Sequence, residues 1–232
     1  MSKSPKTKKP SYHSYPITAP RFWHGLRFGD YVKLLAKNRF AVHPSRWFPA
    51  FTISYFSVFN SCMAQLQNVF YRSKINAHEL TEPPIFIVGH WRSGTTFLHD
   101  LISLDQQFTF PSTLQCFLPN QCLITGRFFL KFDKYLIPDK RPQDNVATSF
   151  AKPQEDEFAI VNMGHHSPYL RMAFPNGPLV DDDYLTLENL PADEVAAWQD
   201  NLRYFVKLVS YQSPDKPVVL KSPPHLGRIK YL

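Results

Sequence analysis

Residues 83–102 read PPIFIVGHWRSGTTFLHDLI, and no other stretch limits the fold as much. Pro83-Pro84 stops whatever precedes it. Ile85-Phe86-Ile87-Val88 is apolar at every position, the pattern of a short parallel strand buried on both faces. A loop of small and cationic residues follows. Phe97, Leu98, Leu101 and Ile102 then recur at helical spacing, which predicts a stripe packed back on the strand. Strand, loop and helix in that order are the unit of an α/β fold.

The loop, GHWRSGTT from Gly89 to Thr96, has the form G-x-x-x-x-G-[KT]-[ST], with Thr95 where an NTP-binding P-loop carries lysine. Backbone amides of Ser93 to Thr96 would converge on an anion at the positive end of the following helix. Gly94 lets the backbone come close, the hydroxyls of Ser93, Thr95 and Thr96 can donate, and Arg92 can supply the missing cation. The plainer reading is that the glycines turn the chain and Arg92 is solvated.

A chain of 232 residues can bury one core and carry an extension. Its formal charge of +7 owes much to Lys3, Lys6, Lys8 and Lys9. Residues 1–20 therefore read as a basic disordered arm, 21–82 as a helical extension with Pro44 and Pro49 separating two helices, and 83–232 as the α/β domain. Such an arm is most simply solvated; contact with a membrane surface stays open, and no nucleic-acid partner is expected. Residues 47–64 are barely long enough and too polar for a spanning helix of about 20 residues, so they read as a buried or interfacial helix. Three cysteines without metal or redox spacing, and no apolar run after the basic N-terminus, point to a reduced, cytoplasmic protein.

Residues 106–150 look irregular and aromatic, a natural place for a substrate-binding excursion, with Phe97, Phe110 and Phe117 as candidate walls for an apolar acceptor. QEDEFAIVNMG, residues 154–164, predicts a helix with acids in its first turn and Gly164 as its stop. Val195, Trp198, Leu202, Phe205 and Val209 mark the clearest amphipathic helix. Residues 218–232 read as a second buried strand ending in Lys221, a proline-rich turn and the start of a helix.

Lys221 would sit where ligands of open α/β sheets collect, beyond a strand's carboxyl end. Thr95 in place of lysine, and Lys221 in place of an acidic metal ligand, weigh against an Mg²⁺-dependent kinase or ATPase; the anion is expected to be held by protein cations, without a metal. His225 follows the strand and could act as a base near neutrality. Glu157, with its neighbours Glu155 and Asp156, is the carboxylate option. Each also has a structural reading: helix-dipole matching for the acids, packing for His225, a surface position for Lys221.

IFIVGHWRSGTTFLHDL resembles the 5′-phosphosulfate loop of the sulfotransferases that use 3′-phosphoadenosine 5′-phosphosulfate, in particular a bacterial branch with a helical N-terminal extension. FPST, KPQEDEFA, SPYL and LKSPPHLGRIKYL resemble further blocks of that branch, so the similarity runs from about Pro20 to Leu232. The resemblance implies a P-loop-NTPase-like three-layer sandwich with a parallel sheet. It implies that Arg92, Ser93, Gly94, Thr95 and Thr96 bind the nucleotide sulfate donor. Arg92 and Lys221 would stabilise charge growing on the bridging oxygen, with Glu157 or His225 as base and a small-molecule, glycan or lipid hydroxyl or amine as acceptor. In the family, a further helix and strand supply an Arg and a Ser to the donor's 3′-phosphate. Nothing after Leu232 matches them, so the expectation is a sheet incomplete at its C-terminal end and a fragment or truncated reading frame. The rivals are a P-loop kinase or NTPase, and an inactive membrane- or partner-binding fragment.

Overall fold

The computed structural model describes residues 21–137, 140, 147–177 and 181–232; the basic arm, residues 1–20, lies outside them. Helix α1 (Phe28–Lys37) buries Tyr31 and Leu34, three residues apart on one face. They join Leu26, Ile53, Val161 and Tyr169 in one apolar cluster. Pro44 opens a 3-10 turn, Pro44–Arg46, that separates α1 from α2. Pro49 does not break the chain as expected. It falls in the first turn of α2 (Trp47–Ala77), where the amide it lacks would have had no partner anyway.

Along α2 the buried stripe is Ile53, Ser57, Asn60, Ala64, Gln67 and Ile75. Its amides are satisfied across the molecule. Asn60 Nδ2 donates to the carbonyls of His24 at 2.6 Å and Leu26 at 3.0 Å, and Gln121 Nε2 donates to Asn60 Oδ1 at 2.6 Å. Gln67 donates to Pro119 O at 2.8 Å and accepts from Leu123 N at 2.9 Å. Buried amides with partners fix how the helical extension sits on the rest of the chain, since leaving one unpaired costs about 1–3 kcal/mol. Among the described residues no helix is long and apolar enough to cross a membrane.

Strand β1 (Ile85–Ile87) pairs in parallel with β2 (Val219–Lys221), Ile85 opposite Val219 and Ile87 opposite Lys221. On its other side β2 meets Thr109, whose carbonyl accepts from Val219 N at 2.7 Å. β2 is therefore interior and buried throughout, whereas β1 has one partner and leaves Ile85 41% exposed. Full burial of the first strand, expected from its composition, is not what forms.

Helix α3 (Thr95–Ile102) follows as predicted, but turned. Its single buried residue is His99, while Phe97, Leu98 and Leu101 are exposed. The preceding turn, with Gly94 left-handed at the N-cap, sets the rotation of the helix so that His99 faces β2. Residues 106–137 are less irregular than expected: they hold α4 (Thr113–Phe117), α5 (Cys122–Lys131) and α6 (Asp133–Leu136). One sequence signal for α4 was there to be read, since Ser112 and Gln115 form a capping box.

Helix α7 (Glu157–Asn162) buries Ala159, Ile160 and Val161 completely. It stops before Gly164, whose φ of 87° and contact with Asp30 leave no room for a β-carbon. It starts two residues later than the run of acids suggests. Helix α8 (Ala192–Tyr211) buries Trp198, Leu202, Phe205 and Val209 and with α7 and β2 makes the main core.

Candidate active site

The loop between β1 and α3 turns at two left-handed residues, Arg92 (φ 68°) and Gly94 (φ 90°). Around Gly94 a β-carbon would meet nothing within 4 Å, so the main chain there is open to a ligand. At Gly89 a β-carbon would lie 2.6 Å from Thr95 Cγ2 and 2.9 Å from Ser93 Oγ; only glycine lets the loop close on its own helix. Ser93 is engaged within the turn, its hydroxyl donating to His90 O at 2.6 Å and its amide to the same carbonyl at 3.2 Å. Arg92 is exposed and has no ion pair among the described residues.

Lys221 closes the site from below. Its Nζ donates to Glu155 Oε1 at 2.6 Å and to Thr96 Oγ1 at 3.3 Å. Its side chain is only 3% exposed, against 16% for Glu155. The other Glu155 oxygen accepts from Tyr169 Oη at 2.6 Å. Burial, followed by the Glu155 charge, raises the Tyr169 hydroxyl far above its ordinary pKa, so it stays a donor. Thr96, Lys221, Glu155 and Tyr169 form a chain of hydrogen bonds that ties the start of α3 to the end of β2.

The two neighbouring acids face the same segment, each with its own partner. Asp156 accepts from His225 Nε2 at 2.7 Å and from Ser222 Oγ at 2.9 Å. Burial alone would raise the Asp156 carboxyl, but His225 and the Ser222 hydroxyl outweigh it and hold it below the usual range. Glu157 takes both guanidinium nitrogens of Arg228, at 2.6 and 3.1 Å, and the Ser167 hydroxyl at 2.6 Å. Arg228 stacks 4.8 Å over Trp198 and donates through Nε to Tyr184 O. Three consecutive carboxylates thus meet Lys221, His225 and Arg228 in turn. That pull explains why Glu155 and Asp156 stand outside α7 rather than in its first turn.

This arrangement redistributes the candidate roles. Lys221 meets Thr96, and Arg92, Ser93, Gly94 and Thr95 lie in the turn that leads into it. Glu157, the carboxylate singled out from sequence, does not join them: it is wholly buried, both oxygens taken. His225 is likewise fully buried, held between Asp156 and the edges of Phe86 and Trp198. The carboxylate beside the loop is Glu155. Tyr169 and Arg228 were not picked out, because nothing in local spacing reports a partner 14 or 71 residues away. His99, buried under the loop helix, has its pKa lowered to about 4 by burial and then by the Lys221 charge. The three candidate acceptor-wall residues are dispersed: Phe117 packs on Phe158, Phe110 on His99, and Phe97 is exposed.

The model of the Sulfotransferase family matches residues 83–232. Two relatives, the omega-hydroxy-beta-dihydromenaquinone-9 sulfotransferases Stf3 of Mycobacterium bovis and Mycobacterium tuberculosis, are each 40% identical over 214 residues, 92% of this chain. The chain spans 55% of their length. A solved structure, sulfotransferase STF1 of Mycobacterium tuberculosis H37Rv, aligns with 91% of this chain and 58% of its own, at a TM-score of 0.46 and 14% identity.

Proposed function

This chain belongs to the sulfotransferase family, and we propose on that premise that it carries the donor-side site of an enzyme moving a sulfuryl group from 3′-phosphoadenosine 5′-phosphosulfate to an acceptor hydroxyl. The observation that carries the reading is the meeting of an open loop, Gly89 to Thr96, with an almost buried ammonium, Lys221, at Thr96. The residues fit the donor substrate. Amides at the start of α3, the hydroxyls of Thr95 and Thr96, and the Arg92 guanidinium are donors aimed at a multiply charged anion.

In the proposed reaction the acceptor oxygen forms a bond to sulfur while the bond from sulfur to the 5′-phosphate oxygen breaks. The electron pair stays with the leaving adenosine 3′,5′-bisphosphate. Arg92 and Lys221 offset the charge that grows on that oxygen, which stabilises the transition state more than the ground state. The acceptor's proton goes to a carboxylate, and Glu155 takes that role in place of Glu157, because it alone of the three acids is next to Lys221 and partly open. His225 and Glu157 are positioning residues. They hold the turn after β2 and the entry to α7, and so the Lys221–Glu155 pair.

The family match beginning at residue 83 supports a division into a helical segment, residues 21–82, and an α/β domain from 83 onward, proposed to be part of a P-loop-like three-layer sandwich. The acceptor of the Stf3 relatives, as named, is a hydroxylated menaquinone derivative. At 40% identity we extend that class to this chain: a hydroxyl on an apolar isoprenoid-type molecule.

Calorimetric titration with adenosine 3′,5′-bisphosphate tests the donor site. Micromolar-range binding without Mg²⁺, weakened about tenfold or more in Arg92→Ala, is the expected result. Equal affinities for the two proteins, or binding only of ATP with Mg²⁺, would sink the reading.

A further inference from the structure

Helix α2 carries apolar side chains on both of its faces. Its buried stripe mixes Ile53, Ala64 and Ile75 with Ser57, Asn60 and Gln67, while Phe51, Tyr55, Val58, Leu66 and Val69 recur at helical spacing on the opposite side and are exposed. Phe51 is 72%, Tyr55 70% and Val69 76% exposed, too much contiguous apolar surface to be the incidental exposure of a water-facing helix. At the helix's start Phe40, Trp47 and Phe48 extend the same character, each more than half exposed.

Charge on this part of the chain has one sign. From Tyr31 to His78 the sequence holds no aspartate or glutamate and six basic residues, Lys33, Lys37, Arg39, Arg46, Arg72 and Lys74. Lys37 reaches Asp181 at 3.1 Å. Arg39 and Arg46 are exposed and form no ion pair among the described residues. Both line a cavity of about 930 Å³ together with the apolar side chains of Leu34, Leu35, Ile53 and Phe174. Cationic and apolar side chains around one recess suit an anionic head group attached to a hydrocarbon chain.

We propose that the outer face of α2, with the cationic corner at residues 39–48, is a docking surface for an anionic lipid bilayer. No helix among the described residues crosses a membrane, so the contact is one of lying on the surface, with Trp, Tyr and Phe side chains at head-group depth and basic residues beside them. A second copy of the chain fits this face badly, because two such surfaces would set like charges against each other. The inference stands on surface composition alone and does not depend on the sulfotransferase reading.

Co-sedimentation of the full chain with vesicles of phosphatidylcholine, alone or mixed with phosphatidylglycerol, tests it. Binding should require phosphatidylglycerol and weaken with salt. Phe51→Gln/Tyr55→Gln/Val69→Gln should lower it about tenfold or more, and Arg39→Asn/Arg46→Gln about fivefold per charge removed. Both variants should keep the parent's far-UV circular dichroism and melting temperature, since the replaced side chains are exposed. Equal pelleting of parent and both variants would overturn the proposal. So would binding that vanishes on deleting residues 1–20 yet ignores the triple substitution, or a dimer in sedimentation velocity that the triple substitution dissolves while vesicles bind neither form.

Discussion

Lys221 Nζ sits 2.6 Å from Glu155 Oε1 at the carboxyl end of β2, and the same ammonium reaches Thr96 Oγ1 in the first turn of α3. The lysine thus bridges a carboxylate and the first turn of α3. In the proposed reaction the carboxylate holds the ammonium in place and the donor substrate gives it a second anion to serve.

Separating the two partners should separate two roles. Glu155→Gln removes the proposed base but leaves a hydrogen-bonding side chain, so kcat should fall by about 10²–10⁴ with adenosine 3′,5′-bisphosphate affinity kept. Lys221→Met should weaken bisphosphate binding as well as turnover. Steady-state assays of sulfuryl transfer, paired with calorimetry on both variants, check this; unchanged turnover in Glu155→Gln would remove that residue from the chemistry.

Glu157→Gln should act on stability instead. It leaves the fully buried Arg228 without its bidentate partner, at a cost of about 3–5 kcal/mol, read as a lower urea midpoint. Turnover per folded molecule should fall less than in Glu155→Gln, because Glu157 acts only through the Lys221–Glu155 pair it positions. A loss as large as that of Glu155→Gln, with the pH profile changed in the same way, would make Glu157 the base instead.

The two loop glycines should respond differently to alanine. Gly94→Ala meets no atom and costs only the left-handed backbone, about 1–2 kcal/mol. Gly89→Ala forces a β-carbon against Thr95 and Ser93 and must open the loop. Bisphosphate affinity should therefore fall further in Gly89→Ala than in Gly94→Ala, as competition titrations would show.

Acid should unfold the protein in two stages. Burial lowers His99, His24 and His165 to about 4 from 6.5. Between those pH values the unfolded chain binds protons that the folded one refuses, so stability rises as pH climbs from about 4 to 6.5. Asp156 works lower down. Its carboxyl is depressed in the fold, so its contribution is present above the ordinary carboxylate pKa and is lost as pH falls through the depressed one. Urea unfolding at a series of pH values should show His99→Leu with a shallower slope above pH 4, and Asp156→Asn with a shallower slope below it.

The strand–turn–helix order was legible in residues 85–102 because all three parts are local: the short apolar run, the paired glycines and the helical spacing each report on neighbours a few bonds away. The amphipathic spacing of α8 and of Tyr31 and Leu34 was legible for the same reason. What the sequence could not decide is which of three adjacent acids meets which of Lys221, His225 and Arg228. Glu155, Asp156 and Glu157 are equivalent in composition, and only the approach of β2 and its turn, some 65 residues on, sorts them into a partly open pair at Lys221 and two buried pairs at His225 and Arg228. Tertiary structure likewise turned α3 so that His99 faces inward, and put the stripe of α2 that carries Ser57, Asn60 and Gln67 inside and the one that carries Phe51 and Tyr55 outside. Periodicity shows that a helix has two faces, and long-range hydrogen bonds such as Asn60 to His24 O determine which of them is buried.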